Sequence, residues 1–303
     1  MTTRPTNPTT PINPPNSINS TNPPNSHTIH FKSDGHRLTG TLHLPDVDRP
    51  PVVIGCHGLL ADRRSPKQIA LANALGRLGI AYLRFDHRGC GDSQGHLAAE
   101  HLLDDRCRDL YHAMQTLQTL AIPSAHETDN PTSDQGAATG QHPPADRHTT
   151  TLDTPPAPTT LGPLIALFGS SFGGTVIMAT AAVHPVPCLI TYAAPIQSRA
   201  IEAAAAEQLK SHAPQNLQQV ARLSFDITPL LPALHHILVI HGDQDEIVPP
   251  SHARRIHQLA QPPKQLILQP GGDHRMTDAH HQARFLESCT AWIQTCLQPD
   301  QLP

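Results

Sequence analysis

The sequence predicts an α/β fold in which a mostly parallel β-sheet carries helices on both faces. Strand-like and helical segments alternate along most of the chain. The strand-like segments are apolar at nearly every position, which indicates that both of their faces are buried. Turn and capping residues separate the segments. Buried strands that alternate with helices are typical of a parallel sheet between two helix layers.

The first half of the chain contains a predicted hairpin, two buried strands and two helices. In chain order these are a hairpin at 27–44, a strand at 52–56, a helix from Ser65 to Gly79, a strand at 80–85 and a helix at 99–120. The hairpin is indicated by alternating apolar residues around a turn at 33–35. Ser65 and Pro66 supply the first-turn chemistry of a helix, and Gly79 supplies its end.

The second half continues the same alternation. It consists of a strand at 164–168, a helix to about 182, a strand at 188–193, a helical segment at about 200–222, a strand at 237–240, a helix from about 251, a strand at 265–268 and a helix at about 278–297. Short apolar runs between turn signals favour buried strands, and apolar residues at helical spacing favour the helices. Fold class therefore follows from the order of the elements.

Proline and charge are concentrated in two polar segments. Residues 1–26 and 123–160 each hold seven of the 32 prolines, and the second segment holds five acidic residues against one basic residue. Such segments cannot bury enough apolar surface to fold. We expect a disordered tail at 1–26 and a single domain at 27–303, interrupted by a disordered low-complexity insert at 123–160.

Composition also excludes several classes of function. The formal net charge is −4, and no basic stripe is present for phosphate contacts, which argues against a nucleic-acid partner. No apolar run approaches the roughly 18 residues of a membrane helix. The first residues lack the apolar core of a secretory signal. We expect a cytoplasmic protein with no membrane span; the sequence leaves the oligomeric state unknown.

Cysteines and histidines do not indicate a metal centre. The six cysteines are scattered without a CxxC pair, which favours free thiols in a reducing compartment. The 22 histidines include no HExxH motif and no Cys/His cluster at zinc-ligand spacing. We therefore expect no metal and no cofactor.

The pattern G-x-S-x-G stands between a predicted strand and a predicted helix, at 169–173. A nucleophile on a tight strand-to-helix turn needs small residues on both sides, because a Cβ at Gly169 or Gly173 would collide with neighbouring backbone. The turn exposes the Ser171 hydroxyl. It also places the Phe172 N–H at a helix N-terminus, where a developing oxyanion is stabilised.

A serine nucleophile needs a base, and the base needs an orienting acid. His274 follows the predicted strand at 265–268, and Asp245 follows the strand at 237–240. Both lie where parallel strands end, at the edge of an α/β sheet that builds active sites. The order Ser171, Asp245, His274 is the order expected with this type of turn. The acids Asp243, Glu246 and Asp273 are alternatives to Asp245 that the residues alone leave open.

Five motifs in this order resemble the alpha/beta-hydrolase superfamily across nearly all of residues 27–297. They are Cys56-His57-Gly58-Leu59, Asp86-His87-Arg88-Gly89-Cys90-Gly91-Asp92-Ser93, Gly169-Ser170-Ser171-Phe172-Gly173-Gly174, His241-Gly242-Asp243-Gln244-Asp245 and Asp273-His274. The resemblance implies an alpha/beta-hydrolase fold with an eight-stranded, mostly parallel sheet. It also implies a short cap at 197–236.

The resemblance assigns roles within these motifs. It favours Asp245 over Asp243 as the acid, because the family places its acid in a Gly-x-x-Asp turn. It implies that the Leu59 N–H is the second oxyanion donor beside Phe172, with His57 and Gly58 as supporting residues. Within the superfamily the chain is similar to cinnamoyl- and feruloyl-esterase-like members and to serine-aminopeptidase-like members.

We therefore expect a serine hydrolase that cleaves a carboxylic ester of a small-molecule acyl substrate through a Ser171 acyl-enzyme. A thioesterase or an aminopeptidase-like hydrolase would use the same three residues and differ in the substrate that fits. A non-catalytic ligand-binding member of the fold is an alternative of another class. The sequence leaves the natural substrate open.

Overall fold

The structure is a computed structural model that describes residues 25–122, 159–201 and 223–297. Its main sheet has eight strands in the order β1-β2-β4-β3-β7-β8-β9-β10. These strands are Ser26–Ser33 (β1), His36–His43 (β2), Val52–Cys56 (β3), Ala81–Phe85 (β4), Leu164–Ser170 (β7), Leu189–Tyr192 (β8), Ile237–Gly242 (β9) and Lys264–Gln269 (β10). A separate two-stranded ladder pairs Ala121–Ile122 (β5) with Thr159–Thr160 (β6).

The sheet is mostly parallel, as predicted. Strand β4 and the five strands beyond it in the sheet pair in parallel, while β2 runs antiparallel to both of its neighbours. The strands β3, β4, β8 and β9 are buried along their whole length. This full burial agrees with their uninterrupted apolar runs and confirms the predicted fold class.

Five α-helices in the described part of the chain cover the two faces. They are Pro66–Gly76 (α1), Leu102–Thr119 (α2), Phe172–Ala181 (α3), Ser251–Leu259 (α4) and Ala279–Leu297 (α5). Helices α1 and α5 pack on one face, with Leu71 and Phe285 in the core on that side. Helices α2, α3 and α4 pack on the other face, with Leu110, Val176 and Ile256 in its core. The prediction of helices on both faces is confirmed.

Several sequence predictions fall partly outside the described residues. The tail at 1–24, the insert at 123–158 and most of the helical segment at 200–222 are in that group. At the edges of these regions, Ser26 belongs to β1 and residues 159–160 belong to β6. Of the proposed cap at 197–236, the structure describes a bridge between Gln197 and Asp226 and a short 3-10 helix, Thr228–Ala233.

Candidate active site

Ser171 occupies the turn between β7 and α3 in an unusual backbone conformation. Its φ is 53° and its ψ is −126°, a region that costs a non-glycine residue on the order of 1–3 kcal/mol. The surrounding sheet holds the turn in place, because the Ser171 N–H donates to the carbonyl of Tyr192 on β8 at 2.7 Å. Ser171 is partly exposed, whereas its neighbours Ser170 and Phe172 are buried. The turn therefore presents the hydroxyl at the surface of the sheet edge.

The two glycines of the motif make this turn possible by close packing. A Cβ on Gly169 would lie 2.3 Å from the carbonyl oxygen of Gly173. A Cβ on Gly173 would lie 2.3 Å from the carbonyl oxygen of Cys56 and 2.6 Å from that of His57. Because these atoms belong to backbone, they cannot rotate away as a flexible side chain would. Helix α3 thus packs directly on the carboxyl end of β3.

The structure brings Ser171, His274 and Asp245 into one hydrogen-bonded chain. His274 Nε2 lies 3.1 Å from Ser171 Oγ. His274 Nδ1 lies 2.8 Å from Asp245 Oδ2 and 3.0 Å from Oδ1. The Asp245 side chain is fully buried, and that of His274 is 12% exposed. Such an arrangement can carry a proton from the hydroxyl to the imidazole while the carboxylate holds the ring.

Asp245 is held by more partners than the sequence indicated. Its Oδ1 accepts the backbone N–H groups of Ile247 at 2.9 Å and Val248 at 2.7 Å. His241 Nε2 lies 3.2 Å from Oδ2. Burial by itself would raise the pKa of Asp245, but the hydrogen bonds from His241 and His274 outweigh it and hold that pKa below its ordinary value. The carboxylate is therefore ionised at neutral pH.

His241 was missed by the sequence reasoning, which assigned chemistry to one histidine only. It lies on β9, is fully buried, and its Nε2 also lies 2.8 Å from the Val248 carbonyl. The available signal was its position in His241-Gly242-Asp243-Gln244-Asp245, four residues before the acid. Its contact with Asp245 depends on the turn after β9, which residue spacing alone does not give.

The alternative acids have other positions. Asp243 Oδ1 accepts the Gly271 N–H at 2.6 Å. Glu246 Oε2 accepts the backbone N–H of His274 at 3.1 Å, so it contacts the histidine but not its imidazole ring. Asp273 accepts the N–H and hydroxyl of Thr277. The geometry favours Asp245 as the partner of the ring.

Two residues from other elements hold the loop that carries His274. The Tyr192 hydroxyl donates to the carbonyl of Asp273 at 2.8 Å. Lys67 Nζ donates to the carbonyls of His274 at 3.4 Å and Arg275 at 3.1 Å, and it lies 4.5 Å from the centre of the Tyr192 ring. Three successive carbonyls are therefore fixed. Burial lowers the pKa of Lys67 to about 8 in spite of the nearby carboxylates.

The two predicted oxyanion donors belong to two different turns, one after β3 and one after β7. Leu59 follows β3. Phe172 begins α3, which follows β7, the strand paired with β3. An ideal Cβ on Gly58 would lie 3.4 Å from Ser171 Cβ, so the turn after β3 passes close to the serine. Among the described residues, neither the Leu59 nor the Phe172 N–H has a hydrogen-bond acceptor.

The loop after β4 has a structural role. The Asp86 carboxylate accepts the backbone N–H groups of Arg63 at 2.7 Å and Asp92 at 2.9 Å. It also forms an ion pair with the Arg63 side chain. A Cβ on Gly91 would lie 2.2 Å from Asp86 Oδ2, so this turn closes tightly around the carboxylate. Asp86 therefore ties the turns after β3 and β4 together.

Three features bear on the expectations about thiols, metals and membranes. The six cysteines are free, and four of them are buried. Within residues 25–122, 159–201 and 223–297, no group of three or more His, Cys, Asp or Glu side chains is placed to hold a metal ion. No helix in those same ranges combines the length and apolar character needed to cross a membrane.

Comparison with protein families gives two matches. A family model described as the alpha/beta hydrolase fold matches residues 51–207, which is more than half of the chain. A second model, described as the prolyl oligopeptidase family, matches residues 162–300. The first match includes Ser171 and the turn after β3, and the second includes Ser171, Asp245 and His274.

Individual proteins with similarity include one curated relative and two solved structures. The uncharacterised protein YfhR of Escherichia coli is 35% identical over 65 residues, and the match spans 21% of this chain and about a fifth (22%) of the relative's own length. Est1E from Butyrivibrio proteoclasticus, solved with ferulic acid bound, has a TM-score of 0.61 at 18% identity and covers 89% of this chain and 99% of its own. XC6422 from Xanthomonas campestris has a TM-score of 0.54 at 20% identity and covers 93% of this chain and 97% of its own. It is described as an a/b serine hydrolase without lid.

Proposed function

Because the chain belongs to the alpha/beta-hydrolase fold family, we propose that it is a serine hydrolase that cleaves carboxylic esters of small molecules. The observation that carries the proposal is the hydrogen-bonded chain from Ser171 Oγ through His274 to Asp245. Ser171, at one end of this series of hydrogen bonds, lies at the sheet edge near the Leu59 and Phe172 N–H groups. Neither N–H has an acceptor among the described residues. A nucleophile, a base, an acid and an oxyanion site are thus within one small volume.

Acylation uses each group in turn. Ser171 Oγ attacks the ester carbonyl carbon, and its proton passes to His274 Nε2 across the 3.1 Å contact. The carbonyl oxygen becomes an oxyanion that accepts hydrogen bonds from the Leu59 and Phe172 N–H groups. The C–O bond to the leaving group then breaks, and His274 returns the proton to the departing alkoxide. An acyl-enzyme and an alcohol result.

Deacylation repeats the sequence with water. His274 removes a proton from water, and the hydroxide attacks the acyl carbon in the same oxyanion site. The bond to Ser171 Oγ breaks, and the serine regains its proton from His274. Throughout, Asp245 holds the ring with Nδ1 as the donor and stabilises the imidazolium. No cofactor takes part in this scheme.

The preference for an ester is supported by the fold relatives. Est1E was solved with ferulic acid, a carboxylic acid of the kind that ester cleavage releases. Another structural relative is described as dienelactone hydrolase from Anabaena variabilis, with a TM-score of 0.57 at 17% identity. A lactone is a cyclic ester. These descriptions belong to those proteins, and they favour the ester bond as the first substrate class to test here.

A second candidate function is peptide or aminoacyl amide hydrolysis with the same three residues. The match of residues 162–300 to the prolyl oligopeptidase family favours it. A thioester substrate would need the same groups. The non-catalytic alternative predicts instead that Ser171 is unreactive toward activated acyl and phosphonyl reagents.

The test is covalent labelling of Ser171 combined with turnover. A fluorophosphonate should label the wild-type chain once, with the adduct mapped by mass spectrometry to the peptide that contains Ser171. Ser171→Ala should abolish labelling and lower kcat on p-nitrophenyl butyrate by several orders of magnitude. Full activity in Ser171→Ala, or a wild-type chain that neither reacts nor turns over, would refute the proposal. A panel of acyl esters, acyl thioesters and aminoacyl anilides then separates the bond types.

The organisation of the rest of the chain is part of the same proposal. We propose a single hydrolase domain at 27–303 that functions in the cytoplasm without a nucleic-acid partner. The segments 1–26 and 123–160 interrupt none of the motifs that carry the three site residues. A variant that lacks residues 1–24 and 123–158, and so keeps β1 and β6 intact, should keep its turnover of p-nitrophenyl butyrate.

A further inference from the structure

A buried arginine lies directly behind the turn that carries the Leu59 N–H. Arg106 is on α2, and its side chain is completely buried. Its Nη2 donates to the Leu59 carbonyl at 2.8 Å, and its Nη1 donates to the Gly58 carbonyl at 3.2 Å. The guanidinium thus holds two successive carbonyls of one turn.

The charge of Arg106 has no carboxylate partner within ion-pair distance in the described part of the chain. Its remaining polar contact is a 3.4 Å hydrogen bond from Nη2 to Cys90 Sγ, and its Nε has no partner among the described residues. Burial of a charge is costly unless hydrogen bonds compensate for it. Here the compensation comes chiefly from the backbone of the turn after β3, so the arginine and this turn stabilise each other.

The Gly58 carbonyl and the Leu59 N–H belong to the same peptide group. A trans peptide is planar, and its C=O and N–H point in opposite directions. A donor fixed on the carbonyl from one side therefore fixes the direction of the N–H on the other side. A cationic donor also withdraws electron density through the peptide, which makes the N–H a stronger hydrogen-bond donor.

His57 contributes a second donor to the same carbonyl. Its Nδ1 lies 2.8 Å from the Gly58 oxygen, and its Nε2 accepts the backbone N–H of His87 at 3.2 Å. Because Nε2 is an acceptor, the ring proton is on Nδ1. Burial, followed by the charge of Arg106, holds the pKa of His57 far below its ordinary value, so the ring stays neutral.

Arg106 also contacts the residue that supplies the other amide. Its Cζ lies 5.2 Å from the centre of the Phe172 ring, within the range of a cation–π contact. One side chain therefore contacts the residues of both predicted donors, by a hydrogen bond to the Leu59 carbonyl and by a cation–π contact with the Phe172 ring.

We propose that Arg106 is a positioning residue that aligns and polarises the 58–59 peptide so that the Leu59 N–H binds the oxyanion. The proposal rests on the proposed function, because it assigns a role within the same acyl-transfer site. Arg106 is fully buried behind the turn, so we expect it not to touch the substrate. Its contribution therefore appears in the transition state, where the charge on the carbonyl oxygen develops, and not in substrate binding.

The experiment compares an ester with its thionoester, in which sulfur replaces the carbonyl oxygen. Sulfur accepts hydrogen bonds weakly, so the thionoester gains little from the oxyanion donors. Arg106→Met should lower kcat on the oxygen ester about 10- to 100-fold with KM nearly unchanged, since loss of a whole oxyanion donor costs about 10²–10³. On the thionoester, kcat should fall less than about threefold. Arg106→Lys keeps the charge but loses the two-pronged guanidinium donor. Its kcat on the oxygen ester should lie between those of the wild type and Arg106→Met.

Arg108→Met is the matched control on the same helix. Arg108 is half exposed and pairs with Asp34 and Asp105 on the other side of α2. The Arg108→Met substitution should change neither kcat on the ester, nor kcat on the thionoester, nor the ratio of the two. Thermal unfolding identifies the variants that are folded at the assay temperature, and Arg106→Lys decides the question if Arg106→Met does not fold.

Two outcomes overturn the proposal. One is an unchanged rate on the oxygen ester in a folded Arg106 variant. The other is an equal loss on both substrates, which indicates a general structural effect. Failure of the proposed function has a different signature. In that case the fluorophosphonate would not label Ser171 of the wild-type chain, and no ester would be turned over.

Discussion

Replacement of Asp245 by asparagine should lower kcat by about 10³–10⁴ while the structure stays nearly the same. Asparagine has the same shape, but one carboxylate oxygen becomes an NH₂ group. In the structure Oδ1 accepts two backbone N–H groups, from Ile247 and Val248. The amide oxygen must take this position, because an NH₂ there would leave two buried donors without acceptors, at about 1–3 kcal/mol each.

The NH₂ group of the asparagine then takes the position of Oδ2. That position faces His274 Nδ1 at 2.8 Å and His241 Nε2 at 3.2 Å. Oδ1 also lies 3.0 Å from Nδ1, but it already accepts two backbone N–H groups, so the closer NH₂ favours a His274 that accepts at Nδ1 and carries its proton on Nε2. In this form Nε2 cannot accept the Ser171 proton, which is the basis of the expected loss. The loss corresponds to about 4–5.5 kcal/mol of transition-state stabilisation at 1.36 kcal/mol per factor of ten.

The assay is steady-state hydrolysis of p-nitrophenyl butyrate at pH 7–8, with Asp243→Asn and Glu246→Gln as matched controls. Asp243 accepts the Gly271 N–H, and Glu246 accepts the backbone N–H of His274. Each control removes one carboxylate charge near the same loop without contact with the imidazole ring. Both should keep kcat within about tenfold of wild type. If Asp245→Asn kept a tenth of the wild-type kcat, or if Glu246→Gln lost as much, the assignment of the acid would be wrong.

Two further predictions concern the turn at Ser171 and the loop at His274. Gly173→Ala places a methyl group 2.3 Å from the Cys56 carbonyl oxygen, so chemical denaturation should show a free energy of unfolding lower by about 1–3 kcal/mol. For Lys67, with a pKa of about 8, kcat/KM of the wild type should fall as pH rises through 8, because the cation that holds the carbonyls of the His274 loop is lost. Lys67→Met should lack that alkaline limb. Stability should change with pH in the opposite direction to activity. The unfolded lysine keeps its proton to about pH 10.5, so the free energy of unfolding should rise between pH 8 and 10.5.

Each of these predictions has a control in the chain. Gly76→Ala, at the end of α1, meets no atom within 4 Å, and it should leave stability unchanged or raise it by up to about 1 kcal/mol. Lys264→Met removes another lysine whose Nζ donates to backbone carbonyls, those of Gln258 and Ala260. It should keep the wild-type pH profile. An alkaline limb that persists in Lys67→Met would contradict the assignment of Lys67, and equal stability of the two glycine variants would contradict the packing argument.

Local sequence patterns were sufficient for the main sheet and for the nucleophile. All eight of its strands are predicted, the two hairpin strands from alternating apolar residues around a turn and the other six from short apolar runs between turn signals. Ser171 was identified because the G-x-S-x-G turn has a local backbone requirement that the glycines reveal. His274 and Asp245 follow predicted strands, so their place at the carboxyl edge of the sheet was also accessible from sequence.

The supporting residues were not accessible in the same way. Arg106 lies within a helix and resembles any arginine of an amphipathic pattern, yet it reaches the turn after β3 from a different layer. Lys67 is 207 residues from His274 in the chain. The choice between Asp245 and Glu246 depends on which carboxylate faces the ring and which faces the backbone. These contacts are set by the tertiary packing of separate elements, and single-chain periodicity does not encode them.

The small ladder of β5 and β6 has a consequence for protein engineering. Ala121 pairs with Thr160 and Ile122 pairs with Thr159, so residues 122 and 159 lie opposite each other in one ladder. The free energy of closing a loop between fixed ends grows slowly, by about 0.6 kcal/mol for each doubling of its length. The domain therefore offers an insertion site at which a reporter or a second enzyme could replace residues 123–158. The two termini of the inserted protein would be joined to the paired residues 122 and 159.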